Sequence, residues 1–277
     1  MARMQVTDEA YQKHQVFSEL DRYASFYDSL AMAVFGFMTM GTKSICNIDT
    51  YVYGSIKGTI ESIKAVLLAG RLNDGYALLR KYYDSVVINI YSNLYLNDHF
   101  SIDNLLTRLD NVGPDSFVVA KINDWLQGRE RLPGYRSMTK YIRNSARLKP
   151  VNDAFLGDNK YIALRDRCDD HLHYNFFHHV MLNDNEVSIE SRGKWLERLR
   201  RDIRDLFILH VGYILFMNSH YMMSSDYVDA LECGMTPEED SQLWVAPFIQ
   251  AIFDEVITPA RPDITALIKS HTSMQLQ

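Results

Sequence analysis

Apolar residues recur at steps of three and four along most of the chain, which is the spacing of one face of an α-helix. From Thr7 onward this pattern predicts a long helix that ends near Gly41. A second run covers residues 49–68 and stops before Gly70, a residue suited to a helix C-terminus. Two long helices are therefore expected in the first quarter of the chain.

Residues 73–96 carry a third helical pattern, for which Asn73 and Asp74 are expected to act as N-caps. The sequence Val86-Val87-Ile88 within it would also suit a β-strand. However, the three- and four-residue period continues on both sides, so a helix is expected here as well.

Two further helices are predicted near the C-terminus, the first over residues 191–221. The second has the clearest start signal in the chain. Residues 236–239, Thr-Pro-Glu-Glu, combine an N-cap, a proline in the first turn and the glutamate of a capping box. This helix is expected to continue through Trp244 to the region of Pro259, and Pro262 begins a short tail helix.

Residues 97–160 are less regular and rich in basic side chains. Short helices are expected after Ser101, after the Gly113-Pro114 break and over residues 135–148. The candidates for contact with RNA phosphates in this segment are Arg136, Lys140, Arg143 and Arg147. The alternative is a solvated helix face in a surface excursion, since charge clusters are ordinary on exposed helices.

The patterns together predict an all-α, multi-helix bundle formed by one domain over residues 1–277, with an irregular basic insert at 97–160 and a C-terminal helical extension at 236–277. The net charge of −6 argues against a sequence-nonspecific DNA-binding protein. The three cysteines are far apart, which favours a reducing cytoplasm over a disulfide framework. No apolar run reaches the roughly 20 residues of a transmembrane helix, so no membrane association is expected.

Residues 161–180, YIALRDRCDDHLHYNFFHHV, contain four of the nine histidines. No glycine or proline interrupts this segment, so one helix is expected throughout. At 100° per residue, one stripe of that helix contains Arg167, His171, Tyr174 and His178, and another contains Asp166, Asp170, His173 and Phe177. Because neither stripe is apolar, the helix is expected to face a cleft or a partner.

Metal binding is weakly indicated. Asp169 with His173, or His171 with Asn175, have the i,i+4 spacing of helical metal ligands, but the chain lacks an H-E-x-x-H or H-x-x-x-H motif. A metalloenzyme would need His210 or His220 at the same site. No metal and no other cofactor are expected. Nor is Cys168 expected to act as a nucleophile, because acidic neighbours raise the pKa of a thiol.

Arginine and histidine on one helix suit another reaction, the cleavage of RNA by attack of its own 2′-hydroxyl group on the adjacent phosphate. Histidine transfers protons near neutral pH, and a guanidinium group binds the phosphate and stabilises its developing charge. Residues 165–173, RDRCDDHLH, contain the spacing Arg-x5-His twice, as Arg165 to His171 and as Arg167 to His173.

This motif resembles the signature of the HEPN superfamily, all-α nucleic-acid-processing domains with Arg-x4-6-His late in a helical bundle. Residues 70–91, GRLNDGYALLRKYYDSVVINIY, resemble more loosely an early helix of abortive-infection-type HEPN proteins. The resemblance implies a homodimer in which two signature helices form one ribonuclease site. It also implies a toxin or anti-phage effector, with an antitoxin or another defence-system protein as a partner.

The resemblance assigns catalysis to Arg167 and His173, with Asp169 or Asn175 orienting the imidazole. The common form of the motif has a polar residue directly after the arginine, whereas Cys168 follows Arg167 here. This departure leaves the register open.

The second choice of register is Arg165 with His171. The alternative to both registers is that these side chains only form hydrogen bonds within helix packing. Arg80 is expected to have a structural role, as a partner of Asp84 or Asp169.

The expected function is that of a metal-independent endoribonuclease that acts as a homodimer. The alternative is a catalytically silent HEPN-like module that binds RNA, a nucleotide or a protein partner. What distinguishes the two functions is whether Arg167 and His173 of one subunit converge with the same residues of the other subunit in a dimer, as the ribonuclease requires.

Overall fold

The computed structural model describes residues 4–36, 48–99, 120–157, 159–184, 186, 191–235 and 244–277. These ranges contain helices and no β-sheet; an isolated antiparallel bridge joins Met223 to Val245. The predicted all-α fold class is confirmed. No helix in the described ranges is both long enough and apolar enough to cross a membrane.

We number the described α-helices in chain order. They are α1 (Glu9–Gln12), α2 (Gln15–Gly36), α3 (Ile48–Leu68), α4 (Leu72–His99), α5 (Ala120–Leu126), α6 (Tyr135–Asn144), α7 (Lys149–Leu156), α8 (Lys160–Leu172), α9 (Phe177–Met181), α10 (Arg192–Met217), α11 (Ser225–Glu232), α12 (Pro247–Ile252), α13 (Thr258–Ala260) and α14 (Pro262–His271). A 3₁₀ turn (Ser219–Met222) follows α10, and a π-helical turn (Phe253–Ile257) joins α12 to α13.

The centre of the fold consists of α2, α3, α4 and α10. Helix α2 packs on α3, α3 packs on α4, and α4 packs on α10. Helix α4 also contacts α6 and α8, so it has neighbours on several sides. Accordingly, the side chains of Tyr76, Leu79, Tyr82 and Val86 are fully buried.

The end of α3 agrees with the prediction. Gly70 has a φ angle of 77°, which glycine adopts without the strain that a Cβ atom causes. Its N–H donates to Leu67 O (2.8 Å), and the N–H of Arg71 donates to Val66 O (2.9 Å). These bonds satisfy carbonyl groups that the last turn of a helix would otherwise leave open.

Helix α4 was also predicted, but its predicted N-caps are wrong. Asn73 and Asp74 lie inside the helix and bind other segments. The Asn73 side-chain amide donates to the backbone oxygen of His171 (3.1 Å). Asp74 and Asn183 bind reciprocally, since the Asp74 N–H donates to Asn183 Oδ1 (3.1 Å) and Asn183 Nδ2 donates to Asp74 Oδ1 (2.7 Å). The start of α4 is thus tied to the residues around α8 and α9.

The last part of the chain differs from its prediction at Trp244. Residues 244–246 are not helical: the Ser224 N–H donates to Trp244 O (3.1 Å), and the Ala246 N–H donates to Met222 O (2.8 Å). This pairing delays the helix until Pro247. The tail helix from Pro262 is confirmed. Gly41, Ser101, the Gly113-Pro114 break and residues 236–239 lie outside the described residues.

The later part of the 97–160 segment contributes to the core. Met138, Ile142 and Phe155 are buried in the same cluster as the central helices. Helices α7 and α10 approach so closely that a Cβ atom on Gly212 would lie 2.8 Å from the Phe155 ring. A larger residue at Gly212 would therefore displace that ring.

A chain of buried hydrogen bonds crosses the central helices. The Tyr27 hydroxyl lies 2.7 Å from the Tyr82 hydroxyl and 2.7 Å from His210 Nδ1, and His210 Nε2 lies 2.9 Å from Asn89 Oδ1. Asn89 Nδ2 donates to Asp49 Oδ1 (2.8 Å), which leaves Asn89 Oδ1 to accept from His210. His210 Nδ1 must then accept from Tyr27, and Tyr27 accepts from Tyr82.

This direction gives each donor in the chain an acceptor. We expect Tyr27→Phe to lower the free energy of unfolding by about 2–5 kcal/mol, because it leaves both Tyr82 and His210 Nδ1 without a buried partner. Tyr82→Phe is the matched control. It removes only the terminal hydroxyl group and should cost about 1–2 kcal/mol. Urea unfolding followed by circular dichroism measures both values, and equal losses would contradict the position of Tyr27 as the bridge between Tyr82 and His210.

Candidate functional site

The helix predicted over residues 161–180 is interrupted. Helix α8 ends at Leu172, Tyr174 has a φ angle of 51°, and α9 begins at Phe177. The Asn175 N–H donates to Asp170 O (3.0 Å) across this break. The two predicted stripes therefore do not continue beyond α8. The sequence gives no glycine or proline signal for the break, because a tyrosine occupies the left-handed position.

The two stripes predicted from the sequence did not include the face of α8 that is buried in the structure. Its members, Tyr161, Leu164, Cys168 and His171, recur at steps of three and four and are all buried. This is the ordinary pattern of a core-facing helix, with a histidine in the last position. His171 thus belongs to the packed side of the helix.

Arg165 lies on the side of α8 that faces α4 and α6. Its Nη1 atom lies 3.3 Å from Asp169 Oδ2, and its guanidinium carbon lies 3.9 Å from the centre of the Tyr135 ring. Arg80 of α4 donates from Nε to Asp169 Oδ1 (2.7 Å) and also pairs with Asp84. Both predicted partners of Arg80 are confirmed. Asp169 is thus bound by two arginines.

Arg167 lies on the other side of α8 and faces α10. Its Nε donates to Asp202 Oδ2 (3.0 Å) and its Nη2 to Asp202 Oδ1 (2.5 Å), which is a bidentate pair. The Asp202 side chain is only 6% exposed, whereas that of Arg167 is 22% exposed. Arg167 Nη1 takes no part in this pair, and Arg167 lines the groove described below.

The His171 imidazole is 1% exposed and lies in an aromatic stack. Its ring centre is 3.8 Å from that of Tyr76 on one side and 3.9 Å from that of His179 on the other. The ring of Trp195 meets it edge-on at 5.2 Å. Burial above all lowers the pKa of His171 to about 3, with smaller contributions from neighbouring positive charges.

The tautomer of His171 follows from its partner Asn73. Nδ1 lies 2.8 Å from Asn73 Oδ1. Because Asn73 Nδ2 already donates to the backbone oxygen of His171, Oδ1 is the acceptor and Nδ1 carries the proton. Nε2 is buried without a hydrogen-bond partner among the described residues. His171 is therefore a neutral packing residue, which argues against the catalytic register of Arg165 with His171.

His173 has the opposite surroundings. It lies directly after the last residue of α8, its side chain is exposed, and it makes no side-chain hydrogen bond with the described residues. The predicted orienting contacts are absent among those residues. Asp169 is bound by Arg80 and Arg165, and Asn175 donates to Asp170 Oδ1 (2.8 Å).

His178 and His179 complete the histidine cluster. His179 is 2% exposed, and its Nδ1 lies 3.1 Å from Asp170 O. Burial lowers the pKa of His179. His178 is exposed and stacks on Trp195, with ring centres 5.4 Å apart. The guanidinium carbon of Arg198 lies 5.8 Å from the centre of the same indole. The exposed imidazole of His178 and the exposed guanidinium group of Arg198 thus both pack on the Trp195 ring. Sequence spacing does not reveal this arrangement, because the residues come from two different helices.

A groove of about 860 Å³ runs along the first half of α10. Lys194, Arg198 and Arg201 line it at steps of four and three residues, and all three are exposed. The acidic residues of the groove are already paired: Asp202 with Arg167, Asp205 with Lys160, and Glu197 with Arg200 and Arg201. Lys194 and Arg198 form no ion pair with an acidic side chain among the described residues, although the charge of Arg198 acts on Asp202 at longer range.

The predicted RNA-contact residues of the 97–160 segment lie on and just after α6. Arg136, Lys140, Arg143 and Arg147 are exposed, and none has an acidic partner within the described ranges. They form a second basic surface. It begins next to Tyr135, on the opposite side of α8 from the groove.

The end of α8, the turn that follows it and the start of α9 carry exposed apolar side chains. They are Leu172, Tyr174, Phe176, Phe177 and Val180. Phe177 is the most exposed of them, at 77%. We call these five residues the apolar turn patch. Exposed apolar side chains that cluster in the sequence mark interaction surfaces more often than a scattered exposed residue does.

The other candidate chemistry falls outside this site. No three His, Cys, Asp or Glu side chains in the described ranges are placed to hold a metal ion. His210 binds Tyr27 and Asn89, whereas His171 packs on Tyr76; positions 76 and 89 of α4 are about 20 Å apart along the helix. His210 therefore does not join the histidine cluster. Cys168 is fully buried, and burial raises the pKa of its thiol.

Comparisons with protein-family models, with curated proteins and with solved structures found no match to this chain. The HEPN resemblance therefore depends on the Arg-x5-His spacing quoted above.

The buried state of His171 predicts a pH effect on stability. Its pKa in the folded chain is below its ordinary value of 6.5, so between these values the unfolded chain binds the extra proton. Stability contributed by the neutral imidazole is lost as the pH falls below 6.5, by about 2 kcal/mol between pH 7 and pH 5. His171→Phe keeps an aromatic ring but cannot bind a proton. We therefore expect its loss of stability between pH 7 and pH 5 to be smaller than that of the wild type, by about 2 kcal/mol.

Urea unfolding at the two pH values measures this difference. His173→Phe adds the same ring at an exposed position and serves as the control, with the pH dependence of the wild type. An equal loss in the wild type and in His171→Phe would show that His171 is not buried as a neutral ring.

Proposed function

We propose that this chain is a metal-independent endoribonuclease of HEPN type that cleaves RNA by attack of the 2′-hydroxyl group. The observation that carries the proposal is the stacking of His178 on Trp195, which also supports Arg198 beside a groove lined by basic side chains. A proton-transfer group and a phosphate-binding group are thus held together. A second exposed imidazole, that of His173, lies on the same turn.

In the proposed reaction, one imidazole takes the proton of the 2′-hydroxyl group as its oxygen attacks phosphorus. The bond from phosphorus to the 5′-oxygen breaks, and the other imidazole, in its protonated form, gives a proton to that oxygen. The products are a 2′,3′-cyclic phosphate and a free 5′-hydroxyl group. His173 and His178 are our candidates for the two roles, because the reaction needs one base and one acid.

Arg167 has a supporting role in this proposal. Asp202 binds two of its nitrogens, which fixes the guanidinium plane, and Nη1 is left for a phosphate oxygen. Lys194 and Arg198 bind the backbone of the RNA along the groove. The basic surface with Arg136, Lys140, Arg143 and Arg147 extends this contact to a longer strand.

The proposal includes a homodimer formed through the apolar turn patch. Two copies that bury this patch against each other cover its exposed rings and bring both His173 residues into the same interface, since His173 lies between Leu172 and Tyr174 of the patch. The biological setting, a toxin or anti-phage effector of the cytoplasm with an antitoxin or other defence-system partner, comes from the family resemblance alone.

A second candidate is a catalytically silent module that binds RNA, a nucleotide or a protein partner. It is favoured by one observation: the two arginines of the repeated motif are both engaged in ion pairs, with Asp169 and Asp202. Such a module would keep the positive groove and would not cut RNA.

We expect the wild type to cleave a single-stranded RNA in the presence of EDTA and to leave 2′,3′-cyclic phosphate ends. His173→Ala and His178→Ala should each lower kcat by about 100-fold or more, because each removes one proton-transfer group. His99→Ala, which changes another exposed histidine, is the control and should keep full activity. Circular dichroism verifies the fold of each variant.

Cleavage that EDTA abolishes, or that survives in both histidine variants, would contradict the mechanism. RNA binding without any cleavage by the wild type would favour the silent module.

The two basic surfaces are expected to differ in their effect on the reaction. Lys194→Gln with Arg198→Gln should lower kcat as well as affinity, because Arg198 shares the Trp195 ring with His178. Arg136→Gln with Lys140→Gln should raise KM and leave kcat unchanged. For either pair, the slope of log affinity against log salt concentration should fall by about 1.4 for a single strand, if each side chain neutralises one phosphate.

Cleavage rates and fluorescence anisotropy with labelled RNA give both quantities. The assignment of the groove to the reaction would be wrong if the α6 pair, and not the α10 pair, lowered kcat.

A further inference from the structure

A second cavity, of about 450 Å³, lies between α4, α6, α7, α8 and α10. This volume is about three times that of a cavity that accommodates benzene, roughly 150 Å³, and falls within the range of small-molecule sites. It is separate from the groove along the first half of α10, because the two share no lining residue. The proposed cleavage reaction does not use it, although Arg143, one of its lining residues, also belongs to the basic surface of α6.

The walls of the cavity are apolar and aromatic. Val86, Ile142 and Leu206 contribute aliphatic surface, and Tyr83, Tyr135 and Tyr213 contribute phenol rings. The Tyr213 hydroxyl donates to Asn152 Oδ1 (2.6 Å), and the Tyr135 hydroxyl donates to that of Tyr83 (3.3 Å). These bonds hold the three phenol rings in place, so the aromatic part of the wall has a defined shape.

The charge of the cavity comes from Arg143, at the last turn of α6. Arg143 lines the cavity, is exposed, and has no acidic partner within the described ranges. The carboxylate that also lines the cavity, Asp153, is paired with Lys149 (2.6 Å). The positive charge of Arg143 partly offsets the rise that burial causes in the pKa of Tyr83 and Tyr213, so it acts on the phenol groups of the cavity.

An aromatic cavity with one unpaired guanidinium group selects for a particular chemistry. We propose that it binds a small aromatic molecule that carries a single anionic group, a carboxylate or a phosphate. The ring system lies among the four tyrosines that line the cavity, Tyr161 included, and the anion pairs with Arg143. A cationic molecule is disfavoured by Arg143, and a neutral one leaves that charge without a partner. This inference does not depend on the ribonuclease proposal.

The ligand would contact the side of Tyr135 that α8 does not cover. Tyr135 donates to Tyr83 in the cavity and carries the Arg165 guanidinium group on its ring at 3.9 Å. The Tyr135 ring thus lies between the cavity and Arg165, which pairs with Asp169.

The test is isothermal titration calorimetry of the full chain with four probes. They are 2-naphthoate, its neutral analogue 2-naphthamide, the cation 2-naphthylmethylammonium and adenosine 5′-monophosphate. We expect one molecule of an anionic probe to bind per chain, at least tenfold more tightly than the neutral or cationic probe. Binding by 2-naphthoate alone identifies the carboxylate form, and binding by adenosine 5′-monophosphate alone the phosphate form.

Arg143→Gln should weaken binding of the anionic probe at least tenfold and leave the neutral probe unchanged. Arg136→Gln is the matched control, since Arg136 is an exposed arginine of the same helix that does not line the cavity. The proposal is overturned if no probe binds at millimolar concentration, if the neutral or cationic probe binds as tightly as the anionic ones, or if both arginine variants have the same effect.

Discussion

The placement of the candidate site depends on how α8 is held between its neighbours. Arg165 and Arg167 are two positions apart, which is about 200° around a helix, so they point to opposite sides. Arg165 shares Asp169 with Arg80 of α4, and Arg167 binds Asp202 of α10. Loss of Arg167 would leave the buried Asp202 carboxylate unpaired, which costs about 3–5 kcal/mol. The two arginines therefore fix α8 on both sides.

The C-terminal end of α8 is packed against α4 and α9, and this packing fixes the positions of the histidines. Asn73 binds His171 at both its ring and its backbone oxygen, and Tyr76 and His179 stack on the two faces of the ring. His171 is thus an anchor, and the turn that follows it must project outward. This is why His173 and His178 are exposed while His171 and His179 are buried. One cluster of four histidines contains two packing residues and two candidates for chemistry.

The sequence predicted the parts of this arrangement that follow from local pattern. The all-α class, the extents of α3 and α4, the end of α3 at Gly70 and the partners of Arg80 were all predicted. The end of α8 was not, because Tyr174 adopts a backbone conformation for which glycine is the usual signal. The burial of His171 was missed because only Tyr161, Leu164 and Cys168 mark that face as apolar. The support of His178 and Arg198 by Trp195 joins residues from α9 and α10, and no spacing along one helix reveals it.

We propose that RNA lies in the groove of α10 with its ribose at the turn between α8 and α9. A crystal structure of the chain with a short 2′-O-methyl RNA, which lacks the attacking hydroxyl group, tests it most directly. We expect phosphate oxygens within about 3 Å of the Lys194 and Arg198 nitrogens and a 2′-oxygen that faces His173 or His178. An RNA bound only to the basic surface of α6, with the groove empty, would contradict it.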